Sequence, residues 1–239
     1  MSRFAAFGIH LGISFIIFLV LAYLVVFEWY PDFFFDTDGG WRGLRIIVLV
    51  DLVLGPALTL VVFKAGKPGL KMDLTLIGIF QFVCLFAGTY VVWSERPIAV
   101  VFTDGRFTAM TADDYREADR EIPHLNHFPG DDPKWVMVNV PQGNEEEADF
   151  RKAYMARGHT IATAVEHYAP FTYAKAEADA LALDVIRERE GGDEALAAWV
   201  DQHGGSIEDY TFFSLSTRYT YTYLGYRREA GEFVGRLDV

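Results

Sequence analysis

Residues 43–63, GLRIIVLVDLVLGPALTLVVF, form an apolar run that contains a carboxylate, Asp51, and a glycine–proline pair, Gly55-Pro56. A helix needs about 20 apolar residues to cross the roughly 30 Å hydrocarbon core of a bilayer, and this run is long enough. A carboxylate loses its hydration in hydrocarbon, and proline removes a backbone donor. The stretch therefore predicts a membrane span whose polar features must be satisfied by protein.

Two further apolar runs, residues 4–27 and 74–93, have a similar length. The first is too long for the apolar part of a signal peptide, and no small-residue cleavage site follows it. We therefore expect a retained first span. Residues 1–96 are predicted to form a three-helix transmembrane region with spans at about 4–27, 43–63 and 74–93.

Charge divides the chain in the same place. Residues 1–96 carry seven basic and seven acidic side chains, so the whole net charge of −12 belongs to residues 97–239, which carry 14 basic and 26 acidic side chains. The sequence predicts a membrane protein in which three transmembrane helices precede an exported α+β domain. An acidic exported domain also argues against nucleic acid as a partner.

The loops between the runs predict an orientation. The loop at 63–73 carries Lys64, Lys67 and Lys71, whereas the loop at 28–41 carries four acidic residues and no basic one. Basic loops remain in the cytoplasm. We expect a multi-pass protein of the bacterial inner membrane, with a cytoplasmic N-terminus and a periplasmic C-terminal domain.

Local patterns predict the elements of residues 97–239. Asp104-Gly105 predicts a hairpin turn between two strands, and Thr111 caps a short helix. The sequence continues with a buried strand (134–141), three helices (144–158, the first ending at Gly158; 172–190; 193–205) and three strands within 210–239. We expect the first hairpin and the C-terminal strands to form a small antiparallel sheet.

Several stretches together resemble the TfpZ/FimB group of type IV pilin accessory proteins. They are SRFAAFGIHLGIS (2–14), WYP (29–31), GGW (39–41), DLVLGPALTLVVF (51–63), KMDL (71–74), RPIAVVF (96–102) and GEFVGRLDV (231–239). The resemblance implies an inner-membrane accessory protein without enzyme activity, which binds or stabilises type IV pilin and modulates pilus assembly. Its implied partners, besides the lipid bilayer, are the transmembrane helix of the pilin and its periplasmic head.

Polar and small residues in the spans are the candidate contacts for a partner helix. Asp51 could make a structural contact inside the bundle, receive a partner's transmembrane helix, or lie on a proton path; a lone carboxylate makes a poor relay. Gly55-Pro56 predicts a kink that either shapes the bundle or opens a groove for a guest helix.

The first span adds three candidates. Gly8 and Gly12 form a small-xxx-small motif, which allows close helix packing within the bundle or against a partner. His10 is predicted to bond a neighbour such as Gln81. Alternatively it pairs with a glutamate, which the resemblance implies at the fifth residue of the pilin helix.

No catalytic motif, cofactor motif or metal site is predicted. His124 and His127 precede two aspartates, but their spacing matches no zinc pattern. The alternative function is a membrane-anchored sensor with a ligand-binding periplasmic domain, which is disfavoured because the inner loops are short. A membrane enzyme is a third alternative, without paired catalytic groups in the spans.

Overall fold

The computed structural model describes residues 2–141, 143–156 and 160–239. The chain divides into two compact units, Met1–Arg96 and Pro97–Val239. The helices of the first unit are α1 (Arg3–Tyr23), α2 (Phe34–Thr37), α3 (Gly40–Ile47), α4 (Gly55–Val62) and α5 (Leu70–Ser94). One π-helical turn, Leu24–Trp29, continues α1, and another, Val48–Leu54, joins α3 to α4.

These elements make three long apolar helices, which we call the first span (Arg3–Trp29), the second span (Gly40–Val62) and the third span (Leu70–Ser94). Each is long and apolar enough to cross a membrane, which indicates a multi-pass membrane protein. Each also extends beyond the predicted apolar run at one or both ends. The helical backbone continues into polar residues because helix formation satisfies backbone groups whether or not the side chains are apolar.

Large apolar side chains point outward from the first unit. Phe4 is 71% exposed, Val61 79% and Phe82 68%. A water-soluble bundle would bury such residues, whereas lipid is a suitable environment for them. The exposed apolar surface therefore supports the assignment of the three helices as spans.

Tyr30, in the segment between the first two spans, packs against the third span and forms a hydrogen bond with it. Tyr30 is 2% exposed, and its hydroxyl donates to the carbonyl oxygen of Val92 at 2.8 Å. Gly43, near the start of the second span, lies so close to Val92 that a Cβ at position 43 would overlap with the valine side chain. The second and third spans can therefore approach closely at this end.

The second unit contains a seven-stranded mixed sheet. Its strands are β1 (Pro97–Thr103), β2 (Arg106–Thr111), β3 (Lys134–Val138), β4 (Tyr168–Pro170), β5 (Tyr210–Ser216), β6 (Tyr221–Arg227) and β7 (Glu232–Leu237). They lie in the order β4-β3-β1-β2-β5-β6-β7, with β1–β3 and β2–β5 parallel and the other pairs antiparallel. The predicted α+β class is confirmed, and the sheet is larger than the small antiparallel one expected. The two parallel pairings join segments that are distant in the sequence, which local patterns do not reveal.

The predicted first hairpin is present, and a second hairpin joins β6 to β7. Asp104 and Gly105 between β1 and β2 have φ angles of 51° and 74°, which is the backbone of a type I′ turn. A Cβ at position 105 would also overlap with the carbonyl oxygen of Asp179. At the other hairpin, the N–H of Gly231 donates to the carbonyl oxygen of Arg227 and closes the turn between β6 and β7.

Helices and short 3₁₀ turns cover the sheet. The helices are α6 (Ala112–Glu117), α7 (Asn144–Met155), α8 (Tyr173–Ala176), α9 (Leu183–Arg187) and α10 (Gly192–His203). Thr111 caps α6 as predicted, since its side chain accepts from the N–H of Asp114. The predicted end of the α7 helix at Gly158 lies outside the described residues.

The expectation of one helix over residues 172–190 is wrong. The segment forms α8, a 3₁₀ turn at Glu177–Asp179, and then α9. The N–H of Leu181 donates to the carbonyl oxygen of Phe212 in β5 at 2.9 Å. This bond to β5 holds residues 180–182 in an extended conformation, so tertiary pairing overrides local helix propensity.

The core of the second unit consists of two clusters. One contains Tyr115, Val136 and Phe150, from α6, β3 and α7. The other is centred on Trp199 of α10, whose ring lies edge-on to Phe212 at 5.3 Å between centroids. Burial of large aromatic side chains replaces the disulfides that this cysteine-free unit lacks.

Candidate functional site

The second span leaves the α-helical register just before Pro56. In its π-helical turn, the N–H of Gly55 donates to the carbonyl oxygen of Val50, five residues back. In that register the next donor, at position 56, would bond the carbonyl oxygen of Asp51, but proline has no N–H. The carbonyl oxygen of Asp51 therefore lacks the backbone donor that the register would give it.

Gln81 of the third span supplies the missing donor. Its Nε2 lies 3.2 Å from the carbonyl oxygen of Asp51 and also donates to Oδ1 of the same residue. A Cβ at position 55 would overlap with the amide group of Gln81. Gly55 therefore makes room for the amide, and Pro56 leaves the oxygen that the amide binds.

The carboxylate of Asp51 is buried, with 1% of the residue exposed. Oδ1 accepts hydrogen bonds from Gln81 and from Oγ of Ser14, the latter at 3.2 Å. Oδ2 is buried and has no hydrogen-bond partner among the described residues. Only one of the two carboxylate oxygens is thus compensated for the loss of water, which makes this the least satisfied polar group of the site.

His10 occupies the other side of Gln81. Its Nε2 lies 2.7 Å from Oε1 of Gln81, and its Nδ1 lies 2.6 Å from Oγ1 of Thr59. Because a carbonyl oxygen only accepts, Nε2 carries the hydrogen in this arrangement. The second ring nitrogen, Nδ1, shares its hydrogen bond with the Thr59 hydroxyl. Both ring nitrogens are engaged inside the bundle.

These contacts form one connected network, which we call the span network. Its members are His10 and Ser14 of the first span, Asp51 and Thr59 of the second, and Gln81 of the third. Hydrogen bonds between membrane helices contribute about 0.6–2 kcal/mol each. The network therefore fixes the register of all three spans, and it does so through side chains that lipid cannot satisfy.

The second unit has a polar cavity of about 520 Å³. The guanidinium of Arg151 contacts both carboxylate oxygens of Asp104 there, at 2.8 and 2.7 Å, and its Nε donates to Glu147 at 2.9 Å. The hydrogen bond from Arg151 lowers the pKa of Asp104 below its ordinary value. Lys175 and Asp179 also line the cavity. Within the described ranges no three His, Cys, Asp or Glu side chains come together as a metal site requires.

Three curated proteins of Dichelobacter nodosus are similar to this chain. The fimbrial assembly proteins of serogroups E1 and I are 32% and 31% identical to it over 127 residues, which cover 51% of this chain. The fimbrial assembly protein of serogroups C1 and C2 is 34% identical over 98 residues, which cover 40% of this chain and 74% of that relative. The chain belongs to this fimbrial assembly protein family.

The extent of the similarity differs among the members of the family. The chain spans about half the length of the serogroup E1 and I proteins, 49% of each. No family profile matches the chain, and no solved structure matches it. The activity and the partners of this chain are therefore left to be proposed.

Gly8 and Gly12 do not belong to the span network. Both lie on the exposed side of the first span, and a Cβ at either position would meet no atom within 4 Å. Among the described residues no other span approaches this pair closely, so the structure gives the motif no packing role within the bundle. In this member of the fimbrial assembly family, contact with a partner helix stays a prediction for both glycines.

Sequence patterns did not single out Ser14 and Thr59. Hydroxyl residues are common in membrane helices, and neither residue is conspicuous by itself. A signal was present in the spacing, because Ser14 follows His10 by four residues and both therefore face the same side of a helix. A polar pair at that spacing indicates a bundle-facing side in a span.

Proposed function

We propose that this member of the fimbrial assembly family is an inner-membrane accessory protein that binds type IV pilin and modulates pilus assembly. The observation that carries the proposal is the family membership together with three candidate spans. The pilin implied by the sequence resemblance has one apolar transmembrane helix and a globular head. The spans would hold the helix, and the unit Pro97–Val239 would bind the head. The proposal assigns the chain no catalytic step and no cofactor.

The orientation is part of the proposal. Lys64, Lys67 and Lys71 surround the start of the third span, whereas Glu28, Asp32, Asp36 and Asp38 lie between the first two spans. The positive-inside rule then puts the N-terminus in the cytoplasm and the second unit in the periplasm. This is the side on which a pilin head folds.

The surface that binds the pilin helix is proposed to include Gly8 and Gly12. Their exposed position lets another backbone approach the first span closely. His10 lies on a different side of the helix, and both its ring nitrogens are engaged by Thr59 and Gln81. Pairing of His10 with a pilin glutamate would require one of these bonds to be exchanged. Asp51, Gly55 and Pro56 act on the partner through the shape of the bundle.

Co-purification from detergent tests the function. The full chain carries an affinity tag and is co-expressed with the type IV pilin of the same organism, and the eluate is probed for pilin. The matched control is the same pilin head fused to an unrelated apolar helix. We expect capture of the native pilin and at least tenfold less of the control. Equal capture of both, or of neither, would contradict binding through the spans.

A second function, ligand sensing, is favoured by the polar cavity of the second unit. Arg151, Lys175 and Asp179 give it charges of both signs, which suits a small zwitterion such as an amino acid. A screen of amino acids by thermal shift of the full chain tests this function. A ligand that stabilises the wild type but not Lys175→Met would support sensing. If no amino acid raises the melting temperature while pilin is captured, sensing is contradicted.

A further inference from the structure

The outer surface of the first unit has an apolar groove of about 760 Å³ that the proposed function does not use. Seven of its nine lining residues are apolar, and the other two are Arg42 and Arg45. Phe18 of the first span forms one wall, and the second span forms the rest. The groove opens where lipid would lie, so its occupant must match both an apolar trough and a cationic end.

The groove follows one side of the second span. Trp41, Arg45, Leu49 and Val53 line it at intervals of four residues, which keeps them on neighbouring positions of one helix face. Trp41 is 50% exposed and Leu49 62%. The trough is therefore accessible from the bilayer along its whole length.

The length of the groove indicates what kind of molecule it can hold. From Trp41 to Val53 the helix advances about 18 Å at roughly 1.5 Å per residue. One leaflet of the hydrocarbon core is about 15 Å deep, half of the roughly 30 Å total. An acyl chain of a phospholipid is about as long as one leaflet is deep, so it matches a trough of this length.

The cationic end matches a phosphate group. Arg42 and Arg45 lie in the first two turns of the second span, and basic side chains near the end of a membrane helix reach the interface. The guanidinium of Arg45 stacks over the ring of Trp41, with 5.9 Å between its carbon and the ring centroid. Stacking holds the planar group in place and leaves its edge N–H groups available for phosphate oxygens.

We propose that this groove is a binding site for one anionic phospholipid. An acyl chain lies between Phe18 and the second span, and the headgroup phosphate is bound by Arg45 with Arg42 beside it. Trp41 anchors the glycerol region at the interface, where tryptophan is preferred. The site is independent of pilin binding, since it lies on a different surface from Gly8 and Gly12, which do not line it.

Native mass spectrometry of the delipidated full chain tests the site. The protein receives equal amounts of phosphatidylglycerol and phosphatidylcholine with identical acyl chains. We expect one molecule of phosphatidylglycerol to remain bound at collision energies that remove phosphatidylcholine. Arg45→Gln should lower the retention of phosphatidylglycerol about tenfold and leave that of phosphatidylcholine unchanged.

A second pair of variants separates the groove from ordinary lipid contact. Val53→Trp fills the deep end and should lower the retention of both lipids. Val61→Trp, on the exposed side of the same helix outside the groove, should lower neither. Lys64→Gln serves as the charge control for Arg45→Gln.

Three results would overturn the proposal. Equal retention by the wild type and Arg45→Gln would show that the headgroup charge is not bound there. Equal effects of Val53→Trp and Val61→Trp would show annular lipid contact only. A Val53→Trp variant that keeps lipid and loses co-expressed pilin would assign the groove to a partner helix.

Discussion

A proline within a membrane helix exposes a carbonyl oxygen that hydrocarbon cannot satisfy. In the second span this oxygen belongs to Asp51, and Gln81 binds it from the third span. The same amide reaches the Asp51 carboxylate and His10. Gly55 makes this possible because it has no side chain at the point where the amide enters. One glutamine thus donates to the carbonyl oxygen that Pro56 leaves without a backbone donor and to the Asp51 carboxylate, and it accepts a hydrogen bond from His10.

Replacing Gln81 tests this dependence. Gln81→Leu should lower the free energy of unfolding of the first unit by about 1–3 kcal/mol, because it leaves buried polar groups without donors. Pro56→Ala restores a backbone N–H that can bond the Asp51 carbonyl oxygen. The loss caused by Gln81→Leu should therefore be smaller in the Pro56→Ala background, as measured by thermal unfolding in detergent. Equal losses in both backgrounds would show that the amide does not compensate for the proline.

Alanine substitutions at two glycines of the spans should change the stability of the protein in opposite directions. Gly55→Ala forces the Gln81 amide out of place and should destabilise the protein by about 1–3 kcal/mol. Gly8→Ala adds a methyl group in open space, and alanine favours a helix over glycine by about 1 kcal/mol. We expect a lower melting temperature for the first variant and an equal or higher one for the second. The reverse order would contradict the placement of these glycines.

The sequence was informative about this site where a residue is unusual for a membrane span. Asp51, Gly55, Pro56 and His10 are conspicuous in apolar runs, and Gln81 is a natural neighbour for the histidine. The π-helical turn at Val48–Leu54 and the role of the Asp51 carbonyl oxygen could not be predicted. They depend on the register between two spans, which no local pattern specifies.

At the scale of elements, strong local chemistry predicted most of the second unit. Asp104-Gly105 predicted the first hairpin, and Thr111 predicted the cap of α6. The prediction of one helix over residues 172–190 was wrong. Its alanines and charged residues favour a helix, but the bond from Leu181 to Phe212 holds the middle of the segment against the sheet. The parallel partners of β1 and β2 were also not predictable, since each comes from a distant part of the sequence.

The turn of the first hairpin can be tested with matched glycines. Gly105 and Gly130 both have positive φ, 74° and 85°, so alanine at either position costs about 1–2 kcal/mol of backbone strain. Only at position 105 does a Cβ also overlap with the carbonyl oxygen of Asp179. Gly105→Ala should therefore lower the melting temperature of the second unit more than Gly130→Ala. Equal shifts would show that the contact with Asp179 contributes nothing.

At the scale of the whole molecule, the chain combines a neutral apolar unit with an acidic one. Residues 1–96 have no net charge, and residues 97–239 carry all −12. The first unit exposes apolar side chains to lipid, and the second buries its aromatic residues around a sheet. This division suits a protein that acts on partners both within a membrane and beside it.

The orientation predicts the behaviour of reporter fusions. Alkaline phosphatase fused after Val239 should be active, because the enzyme folds only in the periplasm and the second unit is proposed to lie there. Fusion after Lys67, in the basic loop between the second and third spans, should be inactive. The opposite pair of activities would invert the topology and move the second unit away from pilin heads.

Site-specific cross-linking in membranes tests whether the first span binds pilin. In a Cys84→Ala background, cysteine replaces Gly12 on the open side of the first span or Phe82 on the exposed side of the third span. A cysteine is placed midway along the transmembrane helix of the co-expressed pilin. We expect an oxidant-dependent adduct at position 12 and at least tenfold less at position 82. Equal adducts at both positions, or none at position 12 while the protein remains abundant, would contradict pilin binding by the first span.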